Sequence, residues 1–350
     1  MTEPQVQQTR KSRSFAPLFL AVLMLGTAIY IAVQLFVPSV EEDVVFTVQR
    51  GQNFKEVAEA LEAQGAVPSA SWLRFYARLT GKDYEIKAGS FLLKKGQSPV
   101  QVLNNLIYGK PVLARVTIPE GFTAKQVRDR VQKDLPTIDP LLEMIRRSRL
   151  PEQIKAEFLE NPPENPEGYL FPNTYFYSES NPEEVYTAMY RQLVLTLEEL
   201  FDAYPQNPVT MGKLTLHEAI ILASIVEREA LLDAERPIIA GVFLKRLDRG
   251  MLLQSCATVT YVLGKPIAKL TYKDLEVDSP YNTYRYPGLP YGPISNPGRQ
   301  SLEAVFNPEI TDYLFFVAKG DGSHVFTRTY QEHLNAQLIH EDWLRQNSKE

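Results

Sequence analysis

Cysteine and histidine are scarce in this chain of 350 residues, which has one cysteine, Cys256, and four histidines. A single thiol makes no internal disulfide, and it excludes thiolate zinc sites and iron–sulfur clusters built from this chain alone. It does not fix the compartment, because an exported chain can simply lack disulfides. None of His217, His324, His333 and His340 stands in an H-E-x-x-H spacing, and His217-Glu218 lacks the partner four residues on. The phosphate loops G-x-x-x-x-G-K-[ST] and G-x-G-x-x-G and the nucleophile elbow G-x-S-x-G are missing too. A Ser–His or Cys–His nucleophile stays open, although Cys256 has no sequence neighbour that would activate it. Excess positive charge is also lacking. Lys and Arg number 37 against 42 Asp and Glu, a net charge of −5 that argues against nucleic acid as the main partner. With 44% hydrophobic and 23% charged residues the chain is ordinarily globular, and its length suggests about two domains.

Uncharged stretches are short with one exception. Phe15 to Val37 runs for 23 residues without a charge. At about 1.5 Å per residue it reaches across a hydrocarbon core of about 30 Å with some tilt. Arg10, Lys11 and Arg13 precede it and Glu41, Glu42 and Asp43 follow, so the N-terminus is expected in the cytoplasm and the rest outside. The alternatives are a cleaved signal peptide or a buried soluble helix. The run is longer than a secretory h-region, and Gln34-Leu35-Phe36-Val37-Pro38 supplies no small-x-small cleavage site, which favours a retained anchor.

After the span a unit recurs. Val44–Val48 alternates like a strand, Gly51 turns the chain, and Phe54, Val57, Ala58 and Leu61 form a helical stripe. The pattern returns at Val116-Thr117-Ile118, Gly121, Val127 and Val131, with Thr123 and Gln126 as a capping box. A partial copy lies between: Gly89–Leu93 as a strand, Ser98 as cap, Pro99 in the first helical position, and Val102, Leu103 and Leu106 on the apolar face. Such strand–turn–helix units resemble the LysM-like modules that bind cell-wall glycan; a plain α+β spacer is the other reading. The expected organisation is a cytoplasmic tail at 1–14, an anchor at 15–37 and the module at 38–135. A proline-rich linker and the start of the functional region follow at 136–208, and its core at 209–350. The fold class is α+β throughout the exported part.

Two places could carry chemistry. Leu214–Ala230 reads as a helix that starts at Leu216, capped by Thr215 with Glu218, and it is apolar on every side from Ala219 to Val226. Glu227 and Glu229 stand at the end of this run, about 200° apart at 100° per residue, so the helix offers one acid rather than a facing pair. Glu227 shares its face with Ile220, Ala223, Ser224 and Leu231, surroundings that raise a carboxyl pKa towards what a general acid needs. The plainer reading makes both glutamates solvated residues at a helix end. The second place is Asp278–Gly298, where Tyr281, Tyr284, Tyr286 and Tyr291 alternate with prolines. A braced loop of tyrosines suits stacking on sugar rings, and it equally suits packing against a core.

The motifs on these segments resemble those of a known family. Ala223-Ser224-Ile225-Val226-Glu227-Arg228-Glu229, Ala234-Glu235-Arg236, Val242–Leu247, Leu253-Gln254-Ser255 and Ser279–Tyr284 are similar to the signature of the YceG-like endolytic murein transglycosylases. Gly288-Leu289-Pro290, Asn296-Pro297-Gly298, Phe316–Lys319 and, upstream, Glu167–Pro172 agree in the same order. The resemblance spans nearly all of the exported chain. It implies cleavage of the MurNAc–GlcNAc bond without water, with Glu227 as catalytic acid and then base, leaving 1,6-anhydro-muramyl ends. It implies no cofactor and no metal. Gln254, Tyr281, Asn282 and Tyr284 are the candidates for holding glycan, and Glu229 and Glu235 for orienting or screening Glu227, or for pairing with Arg228 or Arg236. Expected partners are peptidoglycan strands, the bacterial cytoplasmic membrane through one helix and, by the resemblance alone, penicillin-binding synthases. Two positions depart from the family pattern: Cys256-Ala257 stands where Asp-Pro is common, and Asn173 where Asp is common. The competing expectations are a muramidase that hydrolyses the same bond and a non-catalytic peptidoglycan-binding scaffold.

Overall fold

A computed structural model describes residues 16–178, 181–264 and 270–347. The tail at 1–14 and Phe15, the first residue of the expected span, lie outside the described residues. The chain divides into two compact units, residues 1–114 with 178–181, and 115–177 with 182–350. Both mix helix with small sheets.

The first unit contains α1 (Ala16–Phe36), β1 (Val44–Val48), α2 (Phe54–Ala63), α3 (Ala70–Leu79), β2 (Gly89–Leu93) and α4 (Pro99–Tyr108). Its core collects the residues that the periodicity singles out: Phe46, Val57, Ala58, Leu61, Val102, Leu103 and Leu106 are all buried. β1 and β2, the strands of the first and partial copies, pair antiparallel with Phe46 opposite Phe91. α2 starts on an Asn53–Glu56 capping box and α4 on Ser98–Gln101 with Pro99 in its first turn, so local capping chemistry sets both starts. Within α1, Phe19–Phe36 is long and apolar enough to cross a membrane, and almost none of it is buried against the rest of the chain.

The second unit contains β3 (Ala114–Ile118), α5 (Ala124–Val131), α6 (Asp139–Arg147), α7 (Glu152–Glu160), β4 (Asn173–Tyr177), α8 (Glu184–Ala203), α9 (Leu216–Glu229), α10 (Arg236–Asp248), α11 (Cys256–Leu263), α12 (Tyr272–Leu275), α13 (Arg299–Phe306), β5 (Phe315–Ala318), β6 (His324–Thr327) and α14 (Tyr330–Asn347). The strand and helix of the full repeat copy, β3 and α5, belong to this unit, where β3 pairs with β4. Helix α9 is the spine of the core. Every residue from Ala219 to Val226 is buried, as its all-round apolarity requires, and α7, α10, α11 and α13 pack around it. A Thr215–Glu218 capping box starts α9 at Leu216. Glu227 and Glu229 are thus carried on a rigid rod, just beyond its buried stretch.

Candidate active site

The carboxylate of Glu227 is almost wholly enclosed, with 6% of its side chain exposed. Its burial removes the reading of a solvated helix end. The apolar neighbours on α9 account for only one side of it. From α10, Arg236 brings Nη1 to 3.3 Å of Oε1, and it is itself buried. From the amino end of α13, the Gly298 N–H donates to Oε2 at 2.9 Å, where the helix dipole also favours negative charge. Arg236 is fixed in turn, donating from Nη1 to Ser301 Oγ at 2.6 Å and from Nε to Asp233 Oδ1 at 3.0 Å. The acid therefore meets a buried cation and a backbone donor, each brought to it by another helix.

A second carboxylate arrives from the turn between β3 and α5. Glu120 lies directly across Gly298: a Cβ added there would fall 2.0 Å from Glu120 Oε1 and 2.3 Å from its Cδ. Gly298 has an ordinary φ of −77°, so the glycine matters for room and not for backbone freedom. The Glu120 carboxyl holds its proton above the usual carboxylate range, first because it is partly buried and next because Glu227 is close. Gly121, at φ 71°, brings its backbone against the stem of Glu227, within 3.6 Å of Cγ for an added Cβ. The Arg228 guanidinium donates to Gly121 O at 3.4 Å.

One buried amide clasps this turn. Asn296 donates from Nδ2 to Phe122 O at 2.8 Å and accepts from Leu170 N–H at Oδ1, also at 2.8 Å. Its backbone N–H donates to Phe122 O at 2.8 Å, while its carbonyl accepts from Gly121 N–H at 3.0 Å. Beside it Glu167 is buried, accepting from Ala124 N–H at the start of α5 at 2.9 Å and from the Tyr261 hydroxyl at 3.3 Å. Burial pushes the Glu167 carboxyl up to about 7.

The other residues expected at the site sit as follows. Glu229 turns away from Glu227, accepting from Ser255 Oγ and from the Ala257 N–H at the start of α11, and burial raises its carboxyl. Glu235 pairs with His324, accepting from its backbone N–H at 3.0 Å with its ring Nδ1 at 2.7 Å, which ties α10 to the β5–β6 hairpin. The cation beside Glu227 is Arg236 itself. Gln254 is exposed at a left-handed φ of 51°, its N–H donating to Thr283 O at 3.1 Å. Asn282 is fully buried. Its Nδ2 donates to Leu275 O at 2.9 Å and Val277 O at 2.8 Å, and its Oδ1 accepts from Tyr284 N–H at 3.0 Å, so its amide shapes the loop from within. Tyr281 is half-buried between Tyr261 and Tyr291, with ring centroids 5.1 and 6.2 Å away. The Tyr284 hydroxyl lies 2.9 Å from Cys256 Sγ, where this chain departs from the family pattern.

Sequence reasoning missed Glu120, and it met Asn296 and Gly298 only as parts of a family motif, with no role for either. For Glu120 the local signal was a carboxylate in the Pro119-Glu120-Gly121 turn. Nothing local says that the turn folds back over residues 294–298.

The fold that carries this site has a solved counterpart. The crystal structure of a YceG-like protein from Listeria monocytogenes aligns with TM-score 0.54 and 34% identity, covering 84% of this chain and 98% of that one. The chain belongs to the YceG-like family, whose model matches residues 46–338. A Bacillus subtilis protein named endolytic murein transglycosylase is 33% identical over 331 residues, 90% of either chain. A Streptococcus pneumoniae protein of the same name is 32% identical over 327 residues; the alignment covers 83% of this chain and 58% of that longer relative.

Proposed function

We propose that this chain is a membrane-anchored endolytic peptidoglycan lytic transglycosylase with Glu227 as its acid and base. The observation that carries the reading is the enclosed Glu227 carboxylate, held by the Arg236 guanidinium at 3.3 Å and the Gly298 N–H at 2.9 Å. Protonated Glu227 donates to the glycosidic oxygen between MurNAc and GlcNAc. Negative charge then builds on its carboxylate as the C–O bond breaks, and Arg236 and the Gly298 N–H stabilise that charge where it forms. The carboxylate next takes the proton of the MurNAc 6-hydroxyl, whose oxygen closes on C1 to give the 1,6-anhydro end. That hydroxyl is tethered to the reacting ring, so its effective concentration is high and no water need be positioned. Glu120, ionised, faces the positive charge that builds on the sugar ring, the part a second carboxylate plays in glycoside cleavage.

Gln254, Tyr281 and Tyr284 are the proposed glycan contacts, with Asn282 holding the loop that presents them. Glu229 and Glu235 set the positions of α11 and the β5–β6 hairpin around the site. The strand–helix part of the first unit is proposed as a LysM-like glycan-binding module, shorter than the expected 38–135 because β3 and α5 belong to the second unit. Helix α1 is proposed as a single span with its N-terminus in the cytoplasm. By these proposals the enzyme works at the outer face of the cytoplasmic membrane on nascent strands, ending them beside the penicillin-binding synthases that make them.

Mass spectrometry of purified peptidoglycan treated with the full-length protein and with Glu227→Gln tests the reading. Anhydro-muramyl ends from strand interiors, made by the wild type alone, are expected. Reducing ends instead would make the protein a muramidase, and retained cleavage by the variant would sink the role of Glu227. Binding without cleavage would leave the scaffold.

A further inference from the structure

Helix α3 carries two apolar faces where its unit needs one. Ala70, Leu73 and Ala77 are buried in the core. Trp72, Phe75, Tyr76 and Leu79 repeat the same i, i+3, i+4, i+7 spacing on the other side of the helix, within a sector of about 100°. Phe75 and Leu79 leave the stripe open, 53% and 73% exposed, while Trp72 and Tyr76 are half-buried, Tyr76 partly against the unit's core. It is also continuous with the apolar surface of α1: Trp72 meets Tyr30 and Tyr76 meets Phe36 edge-on, ring centroids 6.2 Å apart in both pairs, and Phe75 extends the row from Trp72 at 6.0 Å.

Helix length then fixes the level of this stripe. The uncharged run Phe15–Val37, 23 residues, measures about 35 Å as a helix, against a hydrocarbon core of about 30 Å. A spanning α1 therefore has about one turn at most to spare above the bilayer. Tyr30 lies six residues before the end of the helix at Phe36, which is about 9 Å along the axis. A side chain that touches Tyr30 is therefore below the level at which the span ends. We infer that the Trp72–Leu79 edge of α3 is sunk in the outer leaflet, with phospholipid as its occupant, so that the first unit is held on the membrane surface as well as tethered to it. Arg74 and Arg78 flank the stripe four residues apart, where their stems can run along the apolar surface and their guanidinium groups reach headgroup phosphates. A depth of about 5–10 Å at the boundary of headgroups and acyl chains is where aromatic rings settle. The inference rests on the reading of α1 as a membrane span.

Tryptophan quenching tests it on the full-length protein, since the chain has only two tryptophans, Trp72 and Trp343. Trp343→Phe leaves Trp72 as sole emitter. Protein is reconstituted in phosphatidylcholine–phosphatidylglycerol vesicles containing lipid with a nitroxide either near the headgroup or near the chain end. Trp72 emission should fall about two-fold with the shallow nitroxide and less with the deep one. A second protein, Tyr30→Trp with Trp72→Phe and Trp343→Phe, places the sole emitter on α1 and reports the span itself. Quenching of that α1 emitter without quenching of Trp72 would overturn the inference and keep the span, the result also given by a second copy of the chain covering the stripe. Quenching of neither would remove both.

Discussion

Replacing Gly298 by alanine puts a methyl group where Glu120 now lies. The new Cβ would be 2.0 Å from Glu120 Oε1, so the carboxylate must retreat by about 1.4 Å to reach an ordinary contact of 3.4 Å. The backbone need not move, because φ of −77° suits alanine, and the N–H that donates to Glu227 keeps its place. Glu120 is exposed enough to swing out. The stability loss is then mainly that of alanine at a helix N-cap, about 1 kcal/mol, which lowers Tm by about 2–4 °C in a unit of this size. Activity should fall further than stability. Moving one carboxylate from beside the reacting centre removes stabilisation of the charge that builds there and should cost about ten-fold in rate, about 1.4 kcal/mol. Glu120→Gln should cost the same ten-fold, and the double variant no more than either single one, because the two changes remove one interaction. The pH profile separates this from a packing defect. Wild-type activity should rise with pH as Glu120 ionises, above the usual carboxylate range, and both variants should lack that limb. Initial rates of anhydro-muramyl end formation across pH are the assay. Full activity in Gly298→Ala, or losses that multiply in the double variant, would refute the role assigned to Glu120.

Three further outcomes follow from the same geometry. Asn296→Ala removes a buried amide bonded to Phe122 O and Leu170 N–H; denaturant unfolding should show a loss of about 3 kcal/mol, and activity should drop at temperatures where the variant is still folded, because the Glu120–Gly121 turn loses its clasp. Glu167 carries the clearest pH signature: its carboxyl is raised from 4.5 to about 7, so its contribution is fully present below about 4.5 and is lost as pH rises through 7, a span of about 3 kcal/mol at most. Glu167→Gln should flatten that fall in stability as followed by unfolding at several pH values, and an unchanged slope would exclude Glu167 as its source. Arg236→Met leaves the Glu227 charge buried without its cation; a loss of about 3–5 kcal/mol is expected by thermal or denaturant unfolding, and Arg236→Lys should recover only part of it because lysine cannot reach Glu227, Ser301 and Asp233 together.

Much of the local structure was legible. Periods of 3.6 and 2 located α2, α4, α5 and α9 and strands β1, β2 and β3, and caps at Ser98, Thr123 and Thr215 marked helix starts within a residue. The unbroken apolarity of Ala219–Val226 identified the central helix but left Glu227 at its end open to a solvated reading, which only the packing of α10 and α13 removes. Helix α3 escaped notice because Trp72, Arg74, Phe75, Tyr76 and Arg78 blur its two apolar faces into one polar-looking stretch. His324, which no sequence motif singled out, closes the hairpin onto Glu235.

Sequence alone determined that Ala219–Val226 is a core helix with Glu227 just beyond its apolar run, because the free energy of burying that run leaves only one place for it, the middle of a core. It also determined the uncharged run able to span a membrane, since length and hydropathy are properties of a segment by itself. Which groups meet that acid is another matter. Arg236 is nine residues from Glu227, Gly298 is 71 away, and Glu120 lies on a turn before α5; they converge only when α10, α13 and the β3–α5 turn pack on α9. Such convergence has no period and no spacing, because it depends on how elements close upon one another and not on how each one forms. Tertiary structure therefore decided the cation, the backbone donor and the second carboxylate, and so the chemistry open to Glu227.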